Sequence, residues 1–304
     1  MLFAQGEVSR GRASMRSHVG LGRDVQIFLV RRSGVCFDTE FLPARTSRGR
    51  PELVVWYVRR GEVHWSGGEG SSESPRIWLF SGAVIDGEGG TRPRNCHACG
   101  EPFESIMLRV RVSNLQPDLV RSLVPGAAVQ AAADRYFSLL GSDTSDASAT
   151  EIARALMHAL EADGVIDRGT ESAAFDAAGV LRPVWTAVQS SFRSLGATAS
   201  LKVMAAVAGQ SVRQTERLIW AAHHGLMTAT EGWRDTMLTY RIRLAIVLLS
   251  SPETSISDVA RVVGYSRQEA MSNAFRRAGL PAPQTIRREV LAHHAAIFGG
   301  PVRE

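Results

Sequence analysis

Apolar residues recur with two different periods along the chain. Between residues 25 and 112 they form short runs separated by clusters of glycine and serine, a pattern that predicts β-strands joined by turns. The predicted strands are Val25–Val30, Leu53–Val58, Ile77–Phe80 and Ile106–Val112. The turn-rich stretches Gly61–Gly70 and Gly82–Gly90 are typical of a β-sandwich or small barrel, and they argue against a βαβ unit.

After Pro117 the pattern becomes helical. Alanine and leucine return every three or four positions in Ala127–Leu140 and Glu151–Glu161, which predicts two amphipathic helices. The intervening segment, residues 141–149, is rich in serine, aspartate and threonine and is predicted to be an exposed loop. We expect this middle part of the chain to link the two ends and to take part in dimerisation.

The most informative local pattern begins at Ser255. Ser255 and Asp258 have the spacing of a capping box, apolar residues line one face of the following turn, and Gly264 is placed to end the helix. Ser266 is predicted to cap a second helix that runs to about Ala278 and is buried through Ala270, Ala274 and Phe275. This is the pattern of a helix-turn-helix unit, in which a glycine provides the sharp turn.

A second copy of this pattern lies earlier in the chain. Leu201 begins an apolar run that ends at Gly209, and Ser211 is placed to cap the helix after the turn. Between the copies, Trp233–Leu249 predicts one long helix that joins both units rigidly. Two recognition helices held in this way could enter successive segments of the DNA major groove, roughly 34 Å apart.

These motifs together resemble the DNA-binding region of AraC-family transcription regulators. The linker-helix pattern R-x-x-x-A-x-x-L-L occurs at Arg241, Ala245, Leu248 and Leu249, and I-x-x-V-A-x-x-x-G-[FY]-S occurs over residues 256–266. The closing pattern follows at Phe275, Arg276, Arg277, Gly279, Pro283, Arg287 and Arg288. The sequence departs from the family pattern in three places: Thr215 replaces a large apolar residue, Met271 replaces the usual phenylalanine, and residues 277–279 are one residue short.

The resemblance and the patterns together predict an α+β protein. Residues 1–115 are expected to form a cupin-like all-β barrel or sandwich that senses an effector, and residues 116–195 a helical linker and dimerisation region. Residues 196–304 are expected to form the all-α DNA-binding domain with two helix-turn-helix units. The cupin-like assignment rests on the resemblance alone.

The charge distribution agrees with a nucleic-acid partner. Residues 199–304 hold 13 Lys plus Arg and 8 Asp plus Glu, so the formal net charge of +5 lies entirely in this segment. We therefore expect double-stranded DNA as the partner, with RNA polymerase, a small-molecule effector and a second copy of the chain as further candidates. The predicted DNA-binding residues are Arg213, Gln214, Arg217, Arg267, Gln268, Asn273, Arg276, Arg277, Arg287 and Arg288.

The sequence provides little support for catalysis or for a cofactor. It contains no nucleophile elbow, zinc-protease motif or phosphate-binding loop, so an enzyme is not predicted. The three cysteines argue against a disulfide scaffold: Cys36 stands alone, and Cys96 and Cys99 form one C-x-x-C that offers too few ligands for a metal site. A redox or metal role for Cys96 and Cys99 remains an alternative, and no metal or other cofactor is expected.

Two further expectations concern histidines and location. His293 and His294 are assigned to a helix end or surface, where a cation near the last carbonyls needs no further explanation. No apolar run is long enough to cross a bilayer, so we expect a cytoplasmic protein with no membrane partner. The main alternative function is a cupin-class small-molecule-binding protein or enzyme that carries a degenerate helix-turn-helix tail.

Overall fold

The computed structural model confirms the α+β class, with a β region followed by helices. It describes the whole chain except residues 23, 43–50, 67–69, 72–73, 87–94, 143, 176–183, 186, 190–199, 226–231 and 299–304. Among the described residues, no helix is long and apolar enough to cross a membrane.

In the described part of the chain, nine strands form a single sheet, which we call the β region. Their bounds are β1 (Leu2–Arg10), β2 (Ala13–Gly22), β3 (Val25–Ser33), β4 (Phe37–Asp38), β5 (Glu52–Trp65), β6 (Gly70–Ser71), β7 (Arg76–Ser81), β8 (Cys96–Arg111) and β9 (Val120–Leu123). The main path runs β1-β2-β3-β8-β5-β7-β9, with β4 paired to β8 and β6 to β5. All of these pairs are antiparallel.

The four strands predicted from sequence all lie in this sheet. The hairpin of β1 and β2 was not predicted, because its alternation of buried and exposed side chains is irregular and its residues include several arginines and glycines. The two longest strands, β5 and β8, pair over most of their length, with register shifts between Val58 and Arg60 and between Arg60 and Glu62. Such shifts bend a strand locally.

Helices cover one face of the sheet. After the short helix α1 (Gly82–Asp86) come α2 (Ala127–Phe137), α3 (Asp146–Ala162) and α4 (Thr170–Phe175). The apolar residues of α2 and α3 pack with Ile27, Tyr57 and Leu108 of the sheet in one buried cluster. The predicted helices Ala127–Leu140 and Glu151–Glu161 are thus present, and their apolar faces are buried as expected. Helix α3 begins at Asp146, however, so the prediction of an exposed loop over residues 141–149 was wrong for its last four residues.

A second cluster, rich in aromatic residues, fills the opposite face of the sheet. Trp56, Trp65 and Trp78 are all nearly inaccessible to solvent there, together with Phe80 and Phe103. Trp65 and Trp78 therefore belong to the core of the β region.

The last six helices form the C-terminal region. They are α5 (Leu201–Ala208), α6 (Val212–Gly225), α7 (Trp233–Leu249), α8 (Ile256–Val262), α9 (Gln268–Arg277) and α10 (Pro283–Phe298). Their core includes Ala245, Leu248 and Phe275, and the same buried cluster contains Leu2 and Val35 from the β region. The C-terminal helices thus pack against one edge of the β region.

Candidate DNA interface

Helices α8 and α9 form the second helix-turn-helix unit. Ser255 accepts a hydrogen bond from the backbone N–H of Asp258 at 3.1 Å, and its hydroxyl donates to the Asp258 carboxylate at 2.7 Å. The predicted cap is therefore present. Gly264 has a φ of +85°, so the turn between the helices uses the left-handed region that favours glycine.

Two details of this unit differ from the sequence prediction. Helix α9 begins at Gln268 with Arg267 as its N-cap residue, and no side chain caps it, so the assignment of Ser266 as the cap was wrong. Ala270 is exposed, and the buried face of α9 consists of Met271, Ala274 and Phe275. Met271 is fully buried, so the methionine fills the core position where the family pattern has phenylalanine.

Helices α5 and α6 form the first unit. Gly209 ends α5 with a φ of +62°, and the hydroxyl of Ser211 accepts a hydrogen bond from the N–H of Gln214 at 3.2 Å. Thr215 is completely buried, and its hydroxyl donates to the carbonyl of Ser211 at 3.0 Å. This bond satisfies the polar group of Thr215 within its own helix, and it explains how a threonine occupies an apolar position.

The linker helix α7 connects the two units through its buried face. Ala245, Leu248 and Leu249 are all buried completely, as the linker pattern predicted. The guanidinium of Arg241 lies 5.8 Å from the ring centroid of Tyr265, which follows the turn glycine of the second unit. Met204 and Ile219 of the first unit belong to the same buried cluster as Trp233 at the start of this helix.

The predicted DNA-binding side chains project mainly into solvent. On α6, Arg213 and Arg217 are exposed and Gln214 is half-buried. At the start of α9 and along it, the exposed residues are Arg267, Gln268, Asn273, Arg276 and Arg277. Arg276 donates to the side-chain oxygen of Asn273 at 2.9 Å, so these two groups orient each other.

The two arginines of α10 have different surroundings. The guanidinium of Arg287 is half-buried and donates to the backbone carbonyls of Pro252 and Thr254, and burial lowers its pKa. Arg287 thus holds the loop between α7 and α8. Arg288 is exposed and lies 3.8 Å from a carboxylate oxygen of Glu289.

Ion pairs connect the second unit with the first hairpin of the sheet. Arg10 donates to Asp258 at 2.8 Å, and Arg12 lies 3.4 Å from Glu253. The hydrogen bond from Ser255 lowers the pKa of the Asp258 carboxyl, and Arg10 and Arg261 act in the same direction. The capping carboxylate therefore also joins the two regions.

The cysteines do not have the arrangement expected from sequence. A disulfide joins Cys36 to Cys99, so Cys36 does not stand alone. Cys96 is completely buried in the aromatic cluster, and burial raises the pKa of its thiol well above the ordinary value. Side chains alternate between the two faces of a strand, and Cys96 and Cys99 are three positions apart on β8. Their side chains therefore point to opposite faces, and the two cysteines do not pair with each other.

The two C-terminal histidines also differ from expectation. Nε2 of His294 lies 3.1 Å from Sγ of Cys99, and Nδ1 of His293 lies 3.3 Å from a carboxylate oxygen of Asp38. Both histidines therefore contact the β region, and the explanation based on helix-end carbonyls was wrong. Hydrogen bonds from His97, the N–H of Glu40 and His293 lower the pKa of Asp38, although burial alone would raise it.

Two cavities lie between the β region and the C-terminal helices. One, of about 460 Å³, lies beside the disulfide and is lined by Cys36, Cys99, Ser250, Leu291 and His294 among others. The other, of about 260 Å³, lies between the sheet and α7 and has mainly apolar walls. A third cavity, of about 800 Å³, separates the two helix-turn-helix units and is lined by residues of α6, α7 and α9.

Comparison with known proteins finds a similar regulator for part of the chain. The chain is 36% identical over 109 residues to the HTH-type transcriptional regulator GlxA of Rhizobium meliloti (strain 1021). With two helix-turn-helix units on one buried linker helix, this similarity confirms the resemblance predicted from sequence. The C-terminal region thus resembles the DNA-binding region of AraC-family regulators.

The alignment with GlxA covers only part of each protein. The aligned segment is 36% of this chain and 30% of GlxA, so the chain matches less than a third of that relative. No family model matches the sequence. Among solved structures, apo ToxT from Vibrio cholerae aligns over 93% of this chain and 99% of its own, with 11% identity and a TM-score of 0.34. The AraC-like transcriptional activator CuxR aligns over 71% of this chain and 77% of its own, with 13% identity and a TM-score of 0.31.

Proposed function

We propose that this protein is a sequence-specific DNA-binding transcription regulator and not an enzyme. Its AraC-type region would insert α6 and α9 into successive segments of the major groove. The observation that carries the proposal is the exposure of polar side chains on both helices, while residues 244–249 of the helix between them are buried. The exposed side chains are Arg213 and Arg217 on α6 and Gln268, Asn273, Arg276 and Arg277 on α9. Such side chains can donate to phosphates and to the edges of guanine and adenine.

The residues would divide into two roles. Arg267 and Gln268 lie at the N-terminal end of α9, the part of a recognition helix that meets base edges. On α6, the corresponding readers would be Arg213, Gln214 and Arg217. Asn273 lies further along α9 and would also sample base edges. Arg276 and Arg277 of α9 and Arg288 of α10 would hold the position of the region on phosphates. Arg287 would act indirectly, because its guanidinium already binds the loop carbonyls.

Selection of bound fragments from random and genomic DNA at physiological salt tests this function. We expect one enriched motif with two half-sites about one helical turn apart. Arg267→Ala should reduce the ratio of affinities for the motif and for a mutated motif by about tenfold or more. Arg168→Ala, an exposed arginine outside the region, is the matched control. Equal weakening on every sequence would reduce Arg267 to a phosphate contact, and no enriched motif would refute the function.

Salt dependence separates the phosphate contacts from the base readers. Each arginine that contacts phosphate should contribute about one unit to the slope of log affinity against log salt. We therefore expect Arg277→Ala to reduce this slope by about one and to weaken all sequences alike. A variant that leaves the slope unchanged would remove that residue from the interface.

We further propose that an effector controls DNA binding through the β region. Residues 1–115 would act as the sensing domain, 116–195 as the linker and 196–304 as the DNA-binding domain. The cavity of about 260 Å³ adjoins α7 through Tyr240, Leu244 and Val247, so its contents would touch the helix that connects both units. Coupling of this kind requires a ligand that prefers one arrangement of that helix.

The walls of this cavity favour a small amphipathic acid. Phe28, Trp56 and Met107 provide an apolar surface, while Arg32, Arg109 and Arg243 line the same space. The guanidinium of Arg32 lies 5.0 Å from the ring centroid of Phe37 and 4.6 Å from that of Phe103, and burial lowers the pKa of Arg32 to about 10. Because Arg109 already donates to Glu52 at 2.8 Å, Arg32 is the guanidinium that a bound carboxylate would match in charge.

A panel of short aliphatic and aromatic carboxylic acids and their amides tests the effector site. We expect one or more acids, but not the matching amides, to raise the melting temperature and change DNA affinity. Leu244→Trp, which fills the cavity, should abolish both effects. Responses that persist in this variant would place the effector elsewhere. RNA polymerase contact and self-association remain predictions from sequence.

A further inference from the structure

Six chemically active side chains meet where the β region contacts the last helix. Strands β4 and β8 are antiparallel, with Asp38 opposite His97 and Phe37 opposite Ala98. The same register places Cys36 opposite Cys99. Each cysteine lies two residues from the Asp38–His97 pair, on the same face of its strand. Helix α10 packs against this face with two adjacent histidines. His294 lies beside the Cys36–Cys99 row and His293 beside the Asp38–His97 row.

The two rows differ in what they can bind. In one row Cys36 and Cys99 are joined by the disulfide, so their sulfur atoms are already engaged. In the other row, Asp38, His97 and His293 each offer one atom that could bind a metal ion. These three donor atoms lie within 4.8 Å of one another.

The distances within the second row fit a metal ion. A carboxylate oxygen of Asp38 lies 3.1 Å from Nδ1 of His97 and 3.3 Å from Nδ1 of His293. Ligands of a tetrahedral Zn²⁺ ion, bound at about 2.0–2.1 Å, are about 3.3–3.4 Å apart. The observed separations are close to this edge length, so a small movement of the side chains would admit an ion.

Burial and hydrogen bonds hold the Asp38 carboxylate in place. Its side chain is only 3% exposed, and its other carboxylate oxygen accepts the N–H of Glu40 at 2.8 Å. The hydroxyl of Thr39 accepts the N–H of Cys96 at 2.7 Å, which fixes the end of β4 against β8. Outer hydrogen bonds of this type orient metal ligands and hold them in place.

The site is also accessible and has a fourth donor nearby. The side chain of His293 is 39% exposed, and a carboxylate oxygen of Glu40 lies 3.3 Å from its Nδ1. A water molecule or Glu40 can therefore complete four-coordination. Two imidazoles and a carboxylate form a donor set that suits Zn²⁺ and related divalent transition metals.

We propose that Asp38, His97 and His293 bind one divalent transition-metal ion of the Zn²⁺ class. Two of the ligands belong to the β region and the third to the last helix of the AraC-type region. The bound ion therefore fixes these two parts of the chain against each other. This inference does not depend on the proposed DNA-binding function, because it rests only on the geometry of the three side chains.

Titration of Zn²⁺ alone into the chelator-treated, full-length protein with its disulfide intact tests the proposal. We expect one ion per chain by competition with a chromophoric chelator. His97→Ala and His293→Ala should each weaken binding at least ~10-fold. Asp38→Asn should do the same while keeping the shape of the side chain. The exposed histidine variant His158→Ala is the control and should bind like the unmodified protein.

Cobalt substitution and a cysteine double variant test whether the metal ion is instead bound by Cys36 and Cys99. With nitrogen and oxygen ligands, the Co²⁺ protein should lack thiolate-to-metal charge-transfer bands, and the Cys36→Ser/Cys99→Ser double variant should still bind one ion. Because His293 is partly exposed, its alanine variant is expected to fold, and circular dichroism checks this. Binding that survives His97→Ala and His293→Ala but is lost with the cysteines would overturn the proposal. So would a failure of the unmodified protein to bind Zn²⁺ at large molar excess.

Discussion

The hydroxyl oxygen of Ser250 accepts a hydrogen bond of 2.7 Å from the backbone N–H of Cys36. Ser250 is the C-cap residue of the linker helix α7, whereas Cys36 precedes strand β4, so this bond joins parts of the chain that are 214 residues apart. Both residues are buried. The end of the helix that carries both helix-turn-helix units is thereby attached to the β region.

Loss of this bond should destabilise the protein. In Ser250→Ala the N–H of Cys36 stays buried without its acceptor, which costs about 1–3 kcal/mol of unfolding free energy. Denaturant unfolding measures the change. The control is Ser138→Ala at the exposed C-cap of α2, which should change the stability by less than about 0.5 kcal/mol. Equal effects of the two variants would show that the contact with Cys36 contributes nothing.

The turn of the first helix-turn-helix unit depends on the backbone conformation of Gly209. Its φ is +62° and no atom lies within 4 Å of a Cβ added there, so Gly209→Ala would meet only backbone strain. We expect a loss of about 1–2 kcal/mol in unfolding free energy. Gly232 has equally open space but a φ of −167°, so Gly232→Ala is the matched control. The prediction fails if Gly232→Ala is as destabilising as Gly209→Ala.

The two serines of the second unit should respond differently to substitution. Ser255 caps α8 and also bonds the carboxylate that pairs with Arg10, so Ser255→Ala should cost about 1 kcal/mol. Ser266 caps no helix, because α9 begins after Arg267 without a side-chain cap. Ser266→Ala should therefore leave thermal stability unchanged. A larger effect at Ser266 than at Ser255 would contradict the cap assignments.

His18 should make the stability of the β region depend on pH. It is buried between Phe3 and Tyr136, with ring centroids 5.2 and 5.9 Å away, and burial lowers its pKa from 6.5 to about 4. Below about pH 6.5 the unfolded chain binds a proton that the folded protein excludes, so stability falls as the pH decreases towards 4. Above pH 6.5 this contribution no longer changes.

The pH dependence can be assigned to His18 by substitution. His18→Phe keeps an aromatic ring in the cluster and removes the titrating group, so its stability should fall less between pH 6.5 and pH 4 than that of the unmodified protein. The difference can reach about 3 kcal/mol by linkage. His158→Phe on the exposed face of α3 should retain the original slope. An unchanged slope in His18→Phe would show that His18 titrates normally in the folded state.

Much of the C-terminal region is predictable because its signals are local. The cap at Ser255, the left-handed glycines at Gly209 and Gly264, and the buried linker positions depend on residues within a few positions of each other. Propensity, capping and helical period determine such features almost independently of the rest of the fold. The strands that contain residues 27–30 and Leu53–Val58 are likewise evident from their uninterrupted apolar runs.

The sequence by itself determined the class of the protein and the two helix-turn-helix units, whereas tertiary structure decided what meets at the junction of its two regions. Cys36 with Cys99, and Asp38 with His97 and His293, are brought together by strand register and by the docking of α10. Neither spacing nor composition encodes these pairings, because residues far apart in the chain meet only when sheet register and helix packing are both established. For the same reason Arg287 resembled a DNA contact in sequence, although the fold places its guanidinium on the carbonyls of a neighbouring loop.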